Sequence, residues 1–338
     1  MGGKILAVKV MLDNNIWSYL GDEQAGARFK ALIHSLGHRV VTAPGVLLEV
    51  LQHPRPDKRE EIVRAIMAGT DERLRSEADL EAAEVIAEVR RLHPEWIRRV
   101  PDTGREATWR TYWTKTFWRQ AVESHDRFRE IAPARRAARA TQFMVDVQKE
   151  QQKVWREGKF DLSDLSRITT FPSEETPEES QLGWEPGDKI ASWRWLTQEV
   201  YWHYFTVGRR SALTHEDTTG ADWVGARVDL RAMCASRERF NRFWLYEVEA
   251  ENMPRSWLRW AADTVQTDMK ITGGNPRDVQ HATHLPDCDV FLTADKNYLR
   301  VLDRISEQAP ASMGRGLRVA PAAHDGTIEA IEATLHTL

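Results

Sequence analysis

The sequence predicts an α/β protein, a parallel sheet flanked by helices and interrupted by a large all-α insertion. Three observations lead there. The first third of the chain alternates short β-branched runs with helical periodicity, the order of a parallel sheet. The last third returns to the same alternation. Between them long helical patterns dominate, and every tryptophan except Trp17 falls between Trp96 and Trp260.

Residues 5–12 form an apolar run broken only by Lys9 and read as a buried strand ending at Asp13. Residues 22–36 carry Phe29, Leu32, Ile33 and Leu36 on one helical face, and Gly37 stops that helix. Residues 39–42 predict a second strand. Pro44 then opens a helix that carries Glu49 and ends at His53-Pro54. Residues 58–99 stay helical. In the middle, residues 106–128 and 190–207 predict long helices. Residues 161–189, rich in Ser, Thr, Pro and Glu, predict a long exposed loop. Near the end the expected order is a helix at 256–269, a Gly273-Gly274 turn and a helix from Asn275 to about Leu285. A strand at 289–293, a helix at 297–307, a strand at 317–320 and a helix at 327–335 follow. The expected organisation is therefore residues 1–95 and 255–338 as two parts of one α/β domain, with 96–254 inserted as a helical, Trp-rich unit.

Composition narrows the function classes. With 41% hydrophobic residues, 29% charged residues and a net charge of -4, the chain reads as globular, and it is not a basic protein that coats nucleic acid non-specifically. The two cysteines, Cys234 and Cys288, lack zinc-site spacing, and a reducing cytoplasm is the simpler expectation. The apolar run near the N-terminus is too short for a signal-peptide core. No stretch approaches the roughly 20 apolar residues of a membrane span. The expectation is a soluble cytoplasmic protein with no membrane partner.

Four acids occupy equivalent places on their elements. Asp13 follows the first strand in Leu12-Asp13-Asn14-Asn15. Glu49 lies early in the helix after the second strand. Asp278 lies in the first turn of a helix, in Pro276-Arg277-Asp278. Asp295 follows a strand in Leu292-Thr293-Ala294-Asp295. Functional groups in parallel sheets gather at the carboxyl ends of strands and the amino ends of the following helices, so all four would share one edge. Singly, each acid has an ordinary reading as a turn, a cap or a solvated helix residue. Together their like charges repel by roughly 1–4 kcal/mol per pair at about 4 Å, and a divalent cation relieves that. Oxygen ligands without thiolate or imidazole favour Mg²⁺ or Mn²⁺.

The residues that carry a family likeness are Val10-Met11-Leu12-Asp13-Asn14-Asn15, Val40-Val41-Thr42-Ala43-Pro44-Gly45-Val46-Leu47-Leu48-Glu49, Pro276-Arg277-Asp278-Val279-Gln280-His281-Ala282-Thr283 and Asp289-Val290-Phe291-Leu292-Thr293-Ala294-Asp295-Lys296-Asn297-Tyr298. In order and local pattern they resemble the PIN-domain ribonucleases, over roughly residues 1–95 and 255–325. The resemblance implies a metal-dependent nuclease that hydrolyses RNA phosphodiester bonds. Its catalytic metal ligands are Asp13, Glu49, Asp278 and Asp295, with Asn14 and Thr293 orienting the carboxylates. It also brings the expectation of a toxin or defence effector. A regulatory protein partner is expected because an unrestrained ribonuclease is toxic, and a homodimer is one form of assembly left open. The separation of Glu49 from Asp278 departs from the compact family domain.

Other features are weaker. Arg105, Arg110, Lys115 and Arg119 interleave with Trp109, Trp113, Phe117 and Trp118, a mixture that suits RNA contact. Further arginines follow at 127, 129, 135, 136 and 139. The spacing of Trp109, Trp113 and Phe117 also makes one inward helical stripe, and that core reading is favoured. His281, His284, Asp287 and Asp289 read as packing or turn residues. A haloacid-dehalogenase phosphatase is disfavoured because Asn15 stands where that chemistry wants a second Asp. A dinucleotide-binding enzyme is disfavoured because no GxGxxG follows the first strand. The remaining competitor is a catalytically silent scaffold that binds RNA or protein.

Overall fold

The computed structural model describes residues 7–124, 132–159, 161–170, 183–184, 187–207, 218–269, 271, 274–320 and 326–337, with the side chains of 132–142, 144 and 275 set aside. Five strands form one all-parallel sheet: β1 (Lys9–Leu12), β2 (Arg39–Thr42), β3 (Glu72–Arg73), β6 (Val290–Thr293) and β7 (Arg315–Arg318), in the order β3-β2-β1-β6-β7. Val10 faces Val40 on one side and Val290 on the other, and Leu12 faces Leu292. Val10, Met11, Leu12, Val40, Val41, Phe291 and Leu292 are fully buried. Continuous apolar strands of this kind arise because helices cover both faces of a parallel sheet. A short antiparallel pair, β4 (Thr169–Thr170) and β5 (Ile190–Ala191), lies apart from it.

On one side of β1 the chain runs outward through α1 (Asn14–Asp22), α2 (Gly26–Ser35), β2, α3 (Pro44–Val50), α4 (Pro56–Gly69) and β3, then α5 (Glu77–Leu92). The helix expected at 22–36 is α2, which starts four residues later, and α1 before it has no counterpart in the sequence pattern. The triplet after Asp13 reads as a turn, but the Asp13 side chain accepts the Asn14 N–H and starts α1, which buries Ile16, Trp17 and Leu20. The chain turns between them at Gln24, with φ at 50°. The edge strand β3 carries no apolar residue, so nothing in its pattern announces it; charged, short edges also resist pairing with other chains.

The middle of the chain holds α6 (Thr103–Thr111), α7 (Phe117–Glu123), α8 (Ala132–Gly158), α9 (Ser192–Thr206), α10 (Gly220–Gly225), α11 (Leu230–Met233) and α12 (Arg237–Arg242). A π-turn over Tyr112–Thr116 separates α6 from α7, so the helix expected at 106–128 is interrupted. Three bulky rings crowd that turn, with Trp113 5.1 Å from Phe117 and the Trp118 indole N–H donating to the Trp113 carbonyl at 3.0 Å. These tryptophans join the same continuous core as the sheet. The loop expected at 161–189 contains a 3-10 turn, Leu165–Arg167, and β4; residues 171–182 of it lie outside the described residues, as do Ile5, Leu6 and Gly273.

The chain then returns through α13 (Pro254–Asp268), α14 (Asn275–Ala282), β6, α15 (Lys296–Ser306), β7 and α16 (Thr327–Leu335). The last strand begins two residues earlier than its apolar pattern suggests, because Gly316 packs under Leu299 and Leu302 and needs no side chain of its own. Among the described residues no helix is long and apolar enough to cross a membrane.

Helices α2 and α4 meet at Gly26, where an added Cβ would lie 2.5 Å from the Ala65 carbonyl oxygen. Gly26→Ala is expected to lose about 1–3 kcal/mol in urea unfolding. Gly104→Ala, on the exposed first turn of α6 with open space around it, is expected to change stability by less than about 1 kcal/mol, towards greater stability. Equal losses at both positions would rule out the close approach as the cause.

Candidate functional site

In this strand order the connections leave β1 in one direction and β6 in the other, so the crevice between the carboxyl ends of β1 and β6 is the topological switch point of the sheet. Asp13 stands at the end of β1 and Asp295 just past the end of β6. Thr293 joins the two. Its hydroxyl donates to Asp13 Oδ2 at 2.6 Å and accepts the Asp295 N–H at 3.0 Å. Asn15 Nδ2 donates to the same Asp13 oxygen at 2.6 Å, while Asn15 Oδ1 accepts the Ala294 N–H at 3.1 Å. Asp13 is buried, with both oxygens held by protein donors. Asp295 differs. Its Oδ1 caps α15 by accepting from Asn297 and Tyr298, and its Oδ2 has no donor among the described residues.

Helix α3 brings Glu49 to the same edge and α14 brings Asp278. Glu49 accepts from Arg277 Nη1 at 3.3 Å and pairs with His281 Nε2 at 3.2 Å. Asp278 accepts from Gln266 Nε2 at 2.9 Å through Oδ2 alone, and its backbone carbonyl holds the Tyr298 hydroxyl at 2.8 Å. The four predicted acids therefore converge closely enough to feel one another. Burial pushes the Asp278 carboxyl well above the carboxylate range, and the charges of Asp13, Glu49 and Asp295 add to it. Burial, with a contribution from Glu49, also raises Asp13 against the opposing pull of His281 and Thr293. For Glu49 burial acts upward too, but the hydrogen bond and charge of His281, then Arg277 and Asn14, outweigh it and hold the carboxyl low. Burial alone would discharge His281, yet Glu49, Asp13 and Asp278 keep it protonated up to about 9.

His281 is the residue that pattern reading missed. It lies three positions after Asp278 on a helix, which puts both on one face, and it is 2% exposed. Arg277, Gln266 and Asn15 were missed with it. His284, by contrast, pairs with Asp287 at 3.2 Å, and Asp287 is bound by Arg255, a structural group as expected. Asp289 accepts the Lys9 N–H at 2.7 Å, at the opposite end of the strands from Asp13.

Two buried oxygens at this edge, Asn14 Oδ1 and Gln266 Oε1, have no hydrogen-bond donor. They and the open carboxylate oxygens of Asp278 and Asp295 are oxygen donors, the chemistry a hard divalent cation takes. Among the described residues, no group of three or more His, Cys, Asp or Glu is arranged as a ready coordination shell.

The arginine-aromatic segment divides. Trp109, Trp113, Phe117 and Trp118 are core. Arg110 makes two hydrogen bonds, at 2.8 and 2.9 Å, to the buried Asp79 and is a structural anchor. Arg105, Lys115 and Arg119 are exposed, with Arg105 stacked 5.1 Å over Trp109. Arg127 and Arg129, and the side chains of Arg135, Arg136 and Arg139, lie outside the described residues.

No family model, no curated protein and no solved structure matches this chain. Its functional reading rests on the acid edge itself.

The raised Asp278 carboxyl carries a stability consequence. A folded-state pKa above the ordinary value near 3.8 means a contribution fully present below 3.8 and lost as pH rises through the folded value. In metal-free buffer Asp278→Asn is therefore expected to be more stable than the parent at pH 7.5, by on the order of 1 kcal/mol. The gain should vanish near pH 4. Urea unfolding at both pH values checks it; a variant less stable at pH 7.5 would show that no repulsion is stored there.

Proposed function

We propose that this chain is a metal-dependent ribonuclease of the PIN-like kind, cleaving RNA by hydrolysis at the acid edge between β1 and β6. The observation that carries the reading is the gathering of four acids at the switch point, where the charges of Asp13, Glu49 and Asp295 all bear on the buried Asp278. Asp13, Glu49, Asp278 and Asp295 would hold Mg²⁺ or Mn²⁺. A bound ion of this kind lowers the pKa of water and stabilises charge on the phosphate oxygens.

The chain's own residues supply the positioning. Asn15 and Thr293 fix the Asp13 carboxylate in one orientation, and Asn297 and Tyr298 fix Asp295 with one oxygen turned free. Gln266 does the same for Asp278. Arg277, half-buried beside Glu49 with its Nε unpartnered, stands where a phosphodiester would meet a guanidinium. Water attacks phosphorus in line with the 3′ oxygen, which leaves with a proton. The products carry a 5′-phosphate and a 3′-hydroxyl. Arg105, Lys115 and Arg119, exposed on the helical middle of the chain, would contact RNA. A protein that restrains the activity, as toxins and defence effectors require, is part of this reading, as is a cytoplasmic setting.

One observation favours a second reading, a silent scaffold that binds RNA or protein. Glu49 is already neutralised by His281 and Arg277, so the edge carries internal counter-charge.

Incubating the purified chain with single-stranded RNA and Mn²⁺, with and without EDTA, separates the two. Metal-dependent cutting is expected. Asp13→Asn and Asp278→Asn should lose more than the roughly 10–100-fold typical of residues that merely orient ligands, and Thr293→Val should fall within that range. Absence of cutting, with RNA still bound, would favour the scaffold; cutting that survives both Asp substitutions would place the chemistry elsewhere.

A further inference from the structure

A cavity of about 410 Å³ opens between α5, α9, α10 and α13, separate from the acid edge although Val279, the neighbour of Asp278, touches its wall. Its size falls at the lower end of small-molecule sites. Leu196, Val200 and Tyr204 of α9 line it at i, i+4 and i+8, and they are 39%, 39% and 46% exposed. A folded chain ordinarily turns such a stripe inward. Here the adjacent stripe of α9, with Trp193, Tyr201 and Phe205, is the one in the core. Tyr201 and Trp260 close the back of the cavity, so three aromatic rings face the space.

The charges in the wall are unequal. Glu77, Glu81 and Asp263 stand against one cation, Arg259. Arg259 Nε donates to Glu81 Oε1 at 2.7 Å, which commits that pair. Glu77 is matched by His284 behind the wall, 3.9 Å away. Asp263 is left. Its Oδ1 accepts from Gln148 Nε2 at 2.5 Å, a neutral donor, and its Oδ2 has no donor among the described residues. Burial pushes its carboxyl up, against the Gln148 hydrogen bond and the charge of Arg259, which makes no hydrogen bond to it.

We propose that this cavity binds a small organic cation, a protonated amine on an aromatic or branched apolar body. The body packs against Leu196, Val200, Tyr201, Tyr204 and Trp260, and the ammonium group sits on Asp263 with an aromatic face beside it. Cations are held over aromatic rings by the ring quadrupole, more strongly where water is excluded. An ammonium–carboxylate contact adds a charge-assisted hydrogen bond. The inference is independent of the nuclease reading, since it uses none of the acid-edge residues.

Three probes of one shape test it on the full chain by calorimetry and ligand-observed NMR at pH 7: 2-phenylethylamine, 2-phenylethanol and 3-phenylpropionate. The amine is expected to bind at least about tenfold more tightly than the alcohol, with the acid weakest. Asp263→Asn should remove the preference for the amine, and Val200→Trp, on the exposed stripe and tolerable to the fold, should weaken all three by filling the mouth. A preference for the acid would make Arg259 the anchor and overturn the proposal. Equal binding of all three, no binding of any, or an amine preference that survives Asp263→Asn in a folded protein would overturn it as well.

Discussion

The pairing of β1 with β6 is the contact on which everything else in the molecule depends. It sets Val10 beside Val290, a parallel contact across almost the whole chain. Closing a loop of this length costs about 5 kcal/mol in chain entropy beyond a constant. Burial of the central strands on both faces offsets it, because Met11, Leu12, Phe291 and Leu292 are wholly removed from water. The Asp13 backbone N–H extends the ladder to the Leu292 carbonyl at 2.9 Å. One residue further on, the Thr293 hydroxyl meets the Asp13 carboxylate. The sheet thus passes directly into the acid edge, and a shift of register would break both.

That edge holds opposed tendencies. Burial and the charges of Asp13, Glu49 and Asp295 raise the proton affinity of Asp278, and His281 answers part of the charge from within. The arrangement has the character of a site whose geometry is fixed in advance and whose charge is left incompletely matched. Asn15, Thr293, Gln266 and the α15 N-terminus fix the direction of Asp13, Asp278 and Asp295, while Glu49 is held by His281 and Arg277. The donors to those three aspartates carry no formal charge. They orient the acids without neutralising them, which leaves room for a cation to do so.

The strands and acids were the legible parts of this sequence, for a physical reason. A strand buried on both faces is an unbroken apolar run, so β2 appears in the sequence with its observed limits and β6 to within a residue. An acid that follows such a run must lie at the sheet edge. What could not be read depends on contacts between distant segments. Asn14 and Asn15 look like a turn until Asp13 caps them into α1. β3 has only two charged residues and exists because β2 offers it an edge. His281 looks like any helix histidine until Glu49, from the far end of the chain, is placed against it. Arg110 looks like a surface cation until Asp79 is seen beneath it. Local patterns report burial well and partners poorly, and partners decide whether a polar residue is functional or structural.

Assembly of the acid edge from both ends of the chain also orders events in time. Asp13 and Glu49 are synthesised before Asp278 and Asp295, with the helical middle of the chain between the two pairs. At about 5–20 residues per second, tens of seconds of elongation separate the halves. Throughout that interval the nascent polypeptide sits beside ribosomal and messenger RNA with half of its carboxylates missing and no β6 to close upon β1. The helices between Glu49 and Asp278 therefore act as a delay line, and the four carboxylates can meet only once Asp295 has been made.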